Sequence, residues 1–296
     1  MWGYMSRSQN VKELTSLFAK DYELGRSATM RELERCVLGC DYGGTSWTTR
    51  SEANRIAELL DLRKGTRLLD VGAGSGWPGL FLALVTGCDV VLTDLPLVGL
   101  QVANERAITD GLVQRCRVVV ADGATLPFED ASFDALSHSD VLCCMPAKLS
   151  MLRACRRVAR VGAKMVFSVI ALPPSLSEVE RQIAIESGPP FVDVADDYAH
   201  LLRRSGWHLL QRMDVTGEFS RAMRTRLEGM QERAGALAEV LGMDEFSQRL
   251  TRAHARIAAV DAGLLERQVF VCATEVSQAG SRIRKARSTG GSATSS

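Results

Sequence analysis

The stretch LLDVGAGSGWPG, Leu68 to Gly79, is the strongest constraint on the fold: an apolar run that closes on glycines and leads into a helical pattern. Glycines at that point let a ligand approach the backbone and leave the first amides of the next helix free to point at it. From there the patterns alternate. TRLLDVG reads as a strand, GWPGLFLALVTG as a helix with Pro78 in its first turn, CDVVLTD as a strand and LVGLQVANERAITDGL as a helix. RCRVVVADG and SFDALSHS follow as strands, KLSMLRACRRVARVG as a helix closed by Gly162, and AKMVFSVIAL as a fifth strand. Such alternation predicts a parallel sheet covered on both faces, with ligands beyond the carboxyl ends of its strands.

The flanking segments have other patterns. Residues 1 to about 40 read as helical, with Val11, Leu14, Leu17 and Phe18 on one face. The loop DYGGTSWTTR comes next, then a helix through SEANRIAELLDL with Ser51 as its cap. After the fifth strand, ALPPSLSEVERQIAIESGPPF reads as loop and short helix, DDYAHLLRRSG as a helix, and WHLLQRMDV and ERQVFVCAT as two last strands. Between those two strands lies a helical insertion, about 217–265. Its stripe of Phe246, Leu250, Ala253, Ile257, Val260 and Leu264 suits packing on the core and closure over a pocket. The expected division is a helical N-terminal cap and loop over 1–50, a catalytic domain over 51–275 and a disordered tail over 276–296, whose Arg282, Arg284, Lys285 and Arg287 read as a solvated end.

Charge narrows the partners. Lys and Arg number 36 against 35 Asp and Glu, so no overall field favours nucleic acid or an anionic membrane. The N-terminus lacks the apolar core of a secretory signal, which points to the cytoplasm. Residues 71–88 are uncharged but hold five glycines and Pro78, which suits a loop and a buried helix better than a membrane span. The eight cysteines are irregularly spaced; Cys36 and Cys40 share a helix face, but no second pair completes a zinc site, and no metal is expected.

Two glycine registers compete over the cofactor. In a dinucleotide site the first glycine closes the strand and the third, five residues on, allows tight packing; counted from Gly72, that third position is Trp77. Counted from Gly74, the turn starts two residues late. Asp70 at the strand end would repel a pyrophosphate but suits a cationic sulfonium. Asp94, 22 positions after Gly72, ends the second strand and can accept from both ribose hydroxyls. Asp122 ends the third, where a carboxylate can accept from an exocyclic amine.

In LLDVGAGSG, LTD, ADGATLPFEDASFD and RRVARVGAKMVFSV, taken in that order, the chain resembles class I S-adenosylmethionine-dependent methyltransferases, especially the small-molecule group called type 11. The resemblance covers about residues 45 to 275. It implies an α/β fold, a Rossmann-like doubly wound sheet of the seven-stranded methyltransferase type with a helical N-terminal part and an inserted cap. The cofactor it implies is S-adenosyl-L-methionine: Asp70, Gly72, Gly74 and Gly76 around the methionine part, Asp94 on the ribose, Leu95 against adenine, and Asp122, Gly123 and Ala124 at the adenine edge.

The activity so implied is methyl transfer to an N, O or C atom of a small molecule. The rival functions are an NAD(P)-dependent oxidoreductase and a non-catalytic protein that keeps the fold for assembly. His138 is the one candidate base, and His138, Ser139 and Cys144 should border the reacting methyl, with Trp47 as an aromatic wall. Phosphobase methyltransferases carry a histidine where this chain has Cys144, four residues after Asp140, which argues against that activity. Tyr198, His200 and Trp207 read as structural. The expected partner is a small-molecule acceptor, with neither nucleic acid nor membrane, and a homodimer is compatible with the chain.

Overall fold

The computed structural model describes residues 7–274 apart from Ala195. The expected tail, 276–296, and the side chain of Val11 lie outside the described residues. Helices α1 (Arg7–Leu24), α2 (Ala28–Leu38) and α3 (Arg50–Leu59) precede the sheet. Then come β1 (Arg67–Val71), α4 (Gly79–Thr86), β2 (Asp89–Asp94), α5 (Leu97–Thr109), β3 (Cys116–Val120), β4 (Phe133–Ser139), α6 (Lys148–Val158) and β5 (Ala159–Ala171). The chain continues through α7 (Glu178–Ser187), α8 (Tyr198–Arg204), β6 (His208–Asp214), α9 (Thr216–Glu232), α10 (Ala234–Leu241), α11 (Met243–Asp261) and β7 (Glu266–Ala273).

The seven strands form one sheet in the order β3-β2-β1-β4-β5-β7-β6. The first five run parallel, and β7 lies antiparallel between β5 and β6. Strand parity divides the core. Leu68 joins Ile56, Leu80 and Leu100 on the α3–α4–α5 face, while its neighbour Leu69 joins Met151, Leu202 and Trp207 on the α6–α8 face. From β1 the chain turns one way to β2 and later returns on the other side as β4, so a crevice opens above β1.

Two local expectations need correction. Thr49, not Ser51, caps α3: its Oγ1 accepts from the Glu52 amide at 3.2 Å. Helix α6 stops at Val158 rather than Gly162, because Ala159 already pairs with Phe133 of β4. The intervening residues bulge, and Gly162 donates its amide to Thr274 Oγ1 at 2.7 Å.

The stripe of the insertion divides between two cores and a cavity wall. Phe246 packs with Leu33, Met230 and Leu237 in a small separate core that joins α2 to α9, α10 and α11. Ile257, Val260 and Leu264 enter the main core, and Ala253 faces a cavity. Among the described residues no helix is long and apolar enough to cross a membrane.

Candidate active site

The crevice above β1, β2 and β4 has two lobes with shared walls at Phe18, Gly72, Asp94, Val141 and Cys144. The smaller, about 130 Å³, is bordered by Leu95, Asp122 and Gly123, with Leu14, Thr15 and Phe18 of α1 above it. The larger, about 370 Å³, extends from Gly72 and Gly74 past Trp47 and Ser139 to α9 and α11. Nine of the sequence-predicted residues therefore border one crevice. Asp70, Gly76, Ala124 and His138 do not line it.

The loop after β1 is shaped by close approach. Gly72 has φ +70°, and a Cβ there would meet Val141 Cγ2 at 2.5 Å. Gly74 has φ +53°, and a Cβ there would meet Tyr22 Oη at 2.5 Å. Both conditions select glycine. Gly76 instead faces Leu80 and Ala103 beneath the loop.

Asp94 stands where the lobes meet. Its Oδ2 accepts from the Gly74 amide at 2.8 Å and its Oδ1 from the Leu95 amide at 2.7 Å, which fixes the carboxylate towards the crevice; Tyr22 Oη donates to Oδ2 at 3.4 Å. Burial pushes its pKa up to about 6, and the two amides hold it from rising further. Lone pairs remain for two hydroxyls. Asp122 Oδ1 accepts from the Ala124 amide at 2.8 Å, a turn that presents Asp122 and Gly123 to the smaller lobe.

Asp70 has a different place from the one its sequence position suggested. It lies under the loop, accepting from the Gly79 amide at 3.1 Å and from Ser137 Oγ at 2.8 Å, and burial pushes its pKa up to about 7. Gly79 is the first residue of α4. A dinucleotide would put its pyrophosphate at this helix N-terminus, where the protein has its own carboxylate. The helix start is thus closed to a phosphate by the protein's own Asp70 carboxylate.

His138 must be corrected as a candidate base. Strand parity turns it away from the crevice: it is 1% exposed and stacks on Phe167 with centroids 4.6 Å apart. Among the described residues neither ring nitrogen has a hydrogen-bond partner, and burial, opposed in part by Asp140, pushes the pKa down to about 3. The imidazole is neutral and out of reach of a substrate.

A pH dependence follows from that burial. The unfolded chain binds a proton at His138 below pH 6.5 and the folded one does not, so the imidazole's contribution to stability is lost as pH falls from 6.5 towards 3, at about 1.4 kcal/mol per pH unit. Asp70, with its raised pKa, acts with the opposite sign, but it is common to wild type and variant. His138→Leu should gain about 1 kcal/mol on wild type between pH 6.5 and 5.5 in urea titrations. A pH-independent difference would contradict a neutral buried ring.

The neighbours of His138 do reach the site. Ser139 and Asp140 line the larger lobe, and Asp140 anchors the loop over it: Oδ2 accepts from the Trp47 amide at 3.0 Å and from Ser46 Oγ at 3.3 Å. Arg267 of β7 bridges Asp140 at 2.9 Å and Glu52 at 2.8 Å. Burial opposes ionisation of Asp140, yet the Arg267 guanidinium outweighs it and holds the carboxyl below the usual range. The same loop is pinned by Trp77, whose Nε1 donates to Thr48 O at 2.7 Å. Cys144 borders both lobes, but its hydrogen bond with Cys143 and its burial push the thiol well up, so it lines rather than attacks.

Tyr22, Glu34, Arg226 and the three arginines of α11 line the larger lobe, and Arg267 acts on it through Asp140; sequence reasoning missed all of them. Only their positions on apolar helix faces or in a short strand could have flagged them, and such charges read as surface.

Comparisons with known proteins agree with this geometry. The methyltransferase domain family model matches residues 69–167. The 27-O-demethylrifamycin SV methyltransferase of Amycolatopsis mediterranei is 34% identical over 197 residues, 63% of this chain and 71% of that protein. Methyltransferase GfsG of Streptomyces halstedii is 30% identical over 166 residues, 55% of this chain and 60% of that protein. The structure of Haemonchus contortus phosphoethanolamine N-methyltransferase 2, in complex with phosphomonomethylethanolamine and S-adenosylhomocysteine, superposes with a TM-score of 0.73 at 15% identity, covering 92% of this chain and 60% of that one. With the sheet order, the glycine loop and a helix start closed to phosphate, these similarities mean that the chain belongs to the class I S-adenosylmethionine-dependent methyltransferases.

Proposed function

We propose that the protein transfers a methyl group from S-adenosylmethionine to an N, O or C atom of a small molecule seated in the larger lobe. The observation that carries this reading is the junction at Asp94, where a nucleoside-sized lobe and an acceptor-sized lobe meet beside the glycine loop. Asp94 holds the ribose, Leu95, Asp122 and Gly123 surround the base, with Ala124 behind them holding the Asp122 turn through its amide, and Gly72 and Gly74 flank the methionine part. Asp70 and Gly76 shape the loop from beneath. The bound cofactor supplies an activated methyl on a sulfonium. The protein's part is to align an acceptor atom with it and to exclude water. Among the described residues no histidine lines the larger lobe, so the acceptor is one whose nucleophilic atom needs no histidine base.

Residues 1–50 and the insertion, about 217–265, act as the cap that selects the acceptor, and 51–275 as the catalytic domain. The rifamycin relative supports an oxygen acceptor on a sizeable metabolite. The balanced charge supports a small molecule over nucleic acid, and supports a cytoplasmic protein without membrane attachment. A homodimer through edge strand β6, which exposes Leu209 and Leu210, belongs to the same reading and is checked by light scattering.

Calorimetry with S-adenosylhomocysteine should give micromolar binding, with none for NAD(P)H. Incubation with labelled S-adenosylmethionine and cell extract should then release S-adenosylhomocysteine and one labelled product. NAD(P)H binding without S-adenosylhomocysteine binding would refute the reading.

A further inference from the structure

The wall of the larger lobe opposite the glycine loop carries four arginines, Arg226 of α9 and Arg249, Arg252 and Arg256 of α11. Two of them are committed to partners. Arg249 is held by Asp21 and Glu245, and Arg252, which is exposed, donates to Gln248 at 3.0 Å. Arg256 is half-buried and donates only to backbone carbonyls, Ser187 O at 2.9 Å and Gly188 O at 3.4 Å. Arg226 is half-buried and meets the Trp47 ring at 5.5 Å; among the described residues it makes no direct hydrogen bond or ion pair with a carboxylate, although Glu34 and Asp21 lie within coulombic range.

The acids of the same lobe are engaged elsewhere. Glu34 accepts from the Gly43 and Gly44 amides, Asp94 from the Gly74 and Leu95 amides, and Asp140 from Arg267. A buried cation without a counter-ion is costly, and an anion brought in by a ligand relieves the cost. Burial depresses the pKa of both guanidinium groups and neighbouring arginines lower it further, with Glu34 and Asp21 opposing this only in part at Arg226. Met223, Met230, Leu237 and Leu241 supply apolar wall beside them. A guanidinium offers paired N–H donors that match the two oxygens of a carboxylate.

We propose that Arg226 and Arg256 form an anion-recognising wall, and that the methyl acceptor is an apolar molecule bearing a carboxylate or an equally compact oxyanion. This rests on the reading that the larger lobe takes the acceptor. Trp47 then does two things: its backbone fixes the loop on Asp140, and its ring lies against the Arg226 guanidinium.

The test uses the full-length protein and two probes that differ only in charge, 2-naphthoate and 2-naphthamide, titrated by NMR with and without S-adenosylhomocysteine. Wild type should prefer the naphthoate by about tenfold or more. Arg226→Gln and Arg256→Gln should each shrink that preference to within about threefold, and Arg226→Lys should keep part of it. S-adenosylhomocysteine affinity should stay within about twofold in all three variants. Without ligand, Arg226→Gln should melt no lower than wild type, because it removes a desolvated cation that makes no direct ion pair among the described residues.

Equal binding of the two probes by wild type overturns the proposal. So does an Arg226→Gln variant that loses tenfold in S-adenosylhomocysteine affinity and keeps the naphthoate preference, since the guanidinium would then serve the cofactor's own carboxylate. Failure of wild type to bind S-adenosylhomocysteine would refute the methyltransferase reading separately, and the titration without it still reports on the wall.

Discussion

Arg267→Met is expected to lose about 3–5 kcal/mol of folding stability, a large share of what holds a domain of this size folded. Arg267 is 1% exposed and ties together Glu52 at the start of α3, Thr48 in the loop and Asp140 after β4. Without it two buried carboxylates lose their counter-ion, and Glu52 Oε1 already lacks a hydrogen-bond partner. The loss comes from stranding charge rather than from the net worth of the ion pairs. Neutralising the partners as well, in Arg267→Met/Glu52→Gln/Asp140→Asn, should therefore recover most of it. Urea unfolding of wild type, single and triple variants separates the cases. A single variant within about 1 kcal/mol of wild type would show that water reaches the cluster and that loop 41–49 does not depend on it.

The place of Arg267 shows where sequence reading stopped. ERQVFV is the last strand among the described residues, yet it inserts between β5 and β6, so both its edges are paired, its residues from Arg267 on are buried, and an arginine that reads as an edge charge becomes central. Nothing local reports a strand's rank in the sheet. The repeating strands and helices were legible because their periods and glycine punctuation act within a dozen residues.

Where two local signals were equivalent, the choice failed. Thr49 and Ser51 both offer a capping hydroxyl, hydrogen-bonded to each other at 3.0 Å, and only the helix start decides between them. His138 and Ser139 differ by one step of strand parity, which sends the first into the core and the second to the crevice. Asp70 was legible as an important acid but not as one turned under its own loop, since that depends on the α4 amide above it. The arginine wall was least visible, because it needs the fold to bring α9 and α11 against the loop around Trp47.

Asp94→Asn should weaken S-adenosylhomocysteine binding by about 1.5–3 kcal/mol, roughly 10- to 150-fold, the range for hydrogen bonds to a charged group. The carboxylate is already oriented by two amides, so little of the interaction with a ribose diol is spent on ordering it. Each oxygen of Asp94 accepts from one backbone amide, so an asparagine must set its NH₂ against one of them, donor against donor, and offers only one oxygen to the ligand hydroxyls. The raised pKa of Asp94 adds a second signature. Hydroxyl donors favour the ionised form, so wild-type affinity should fall as pH drops through about 6, whereas the asparagine variant, with no such titration, should be flat over the same range. Asp122→Asn serves as the control, because Asp122 touches only the smaller lobe and should leave that pH profile intact. Calorimetry at pH 7.5 and 5.5 measures both effects; a variant that binds within twofold of wild type at both values would remove Asp94 from the ribose, and with it the assignment of the two lobes to nucleoside and acceptor.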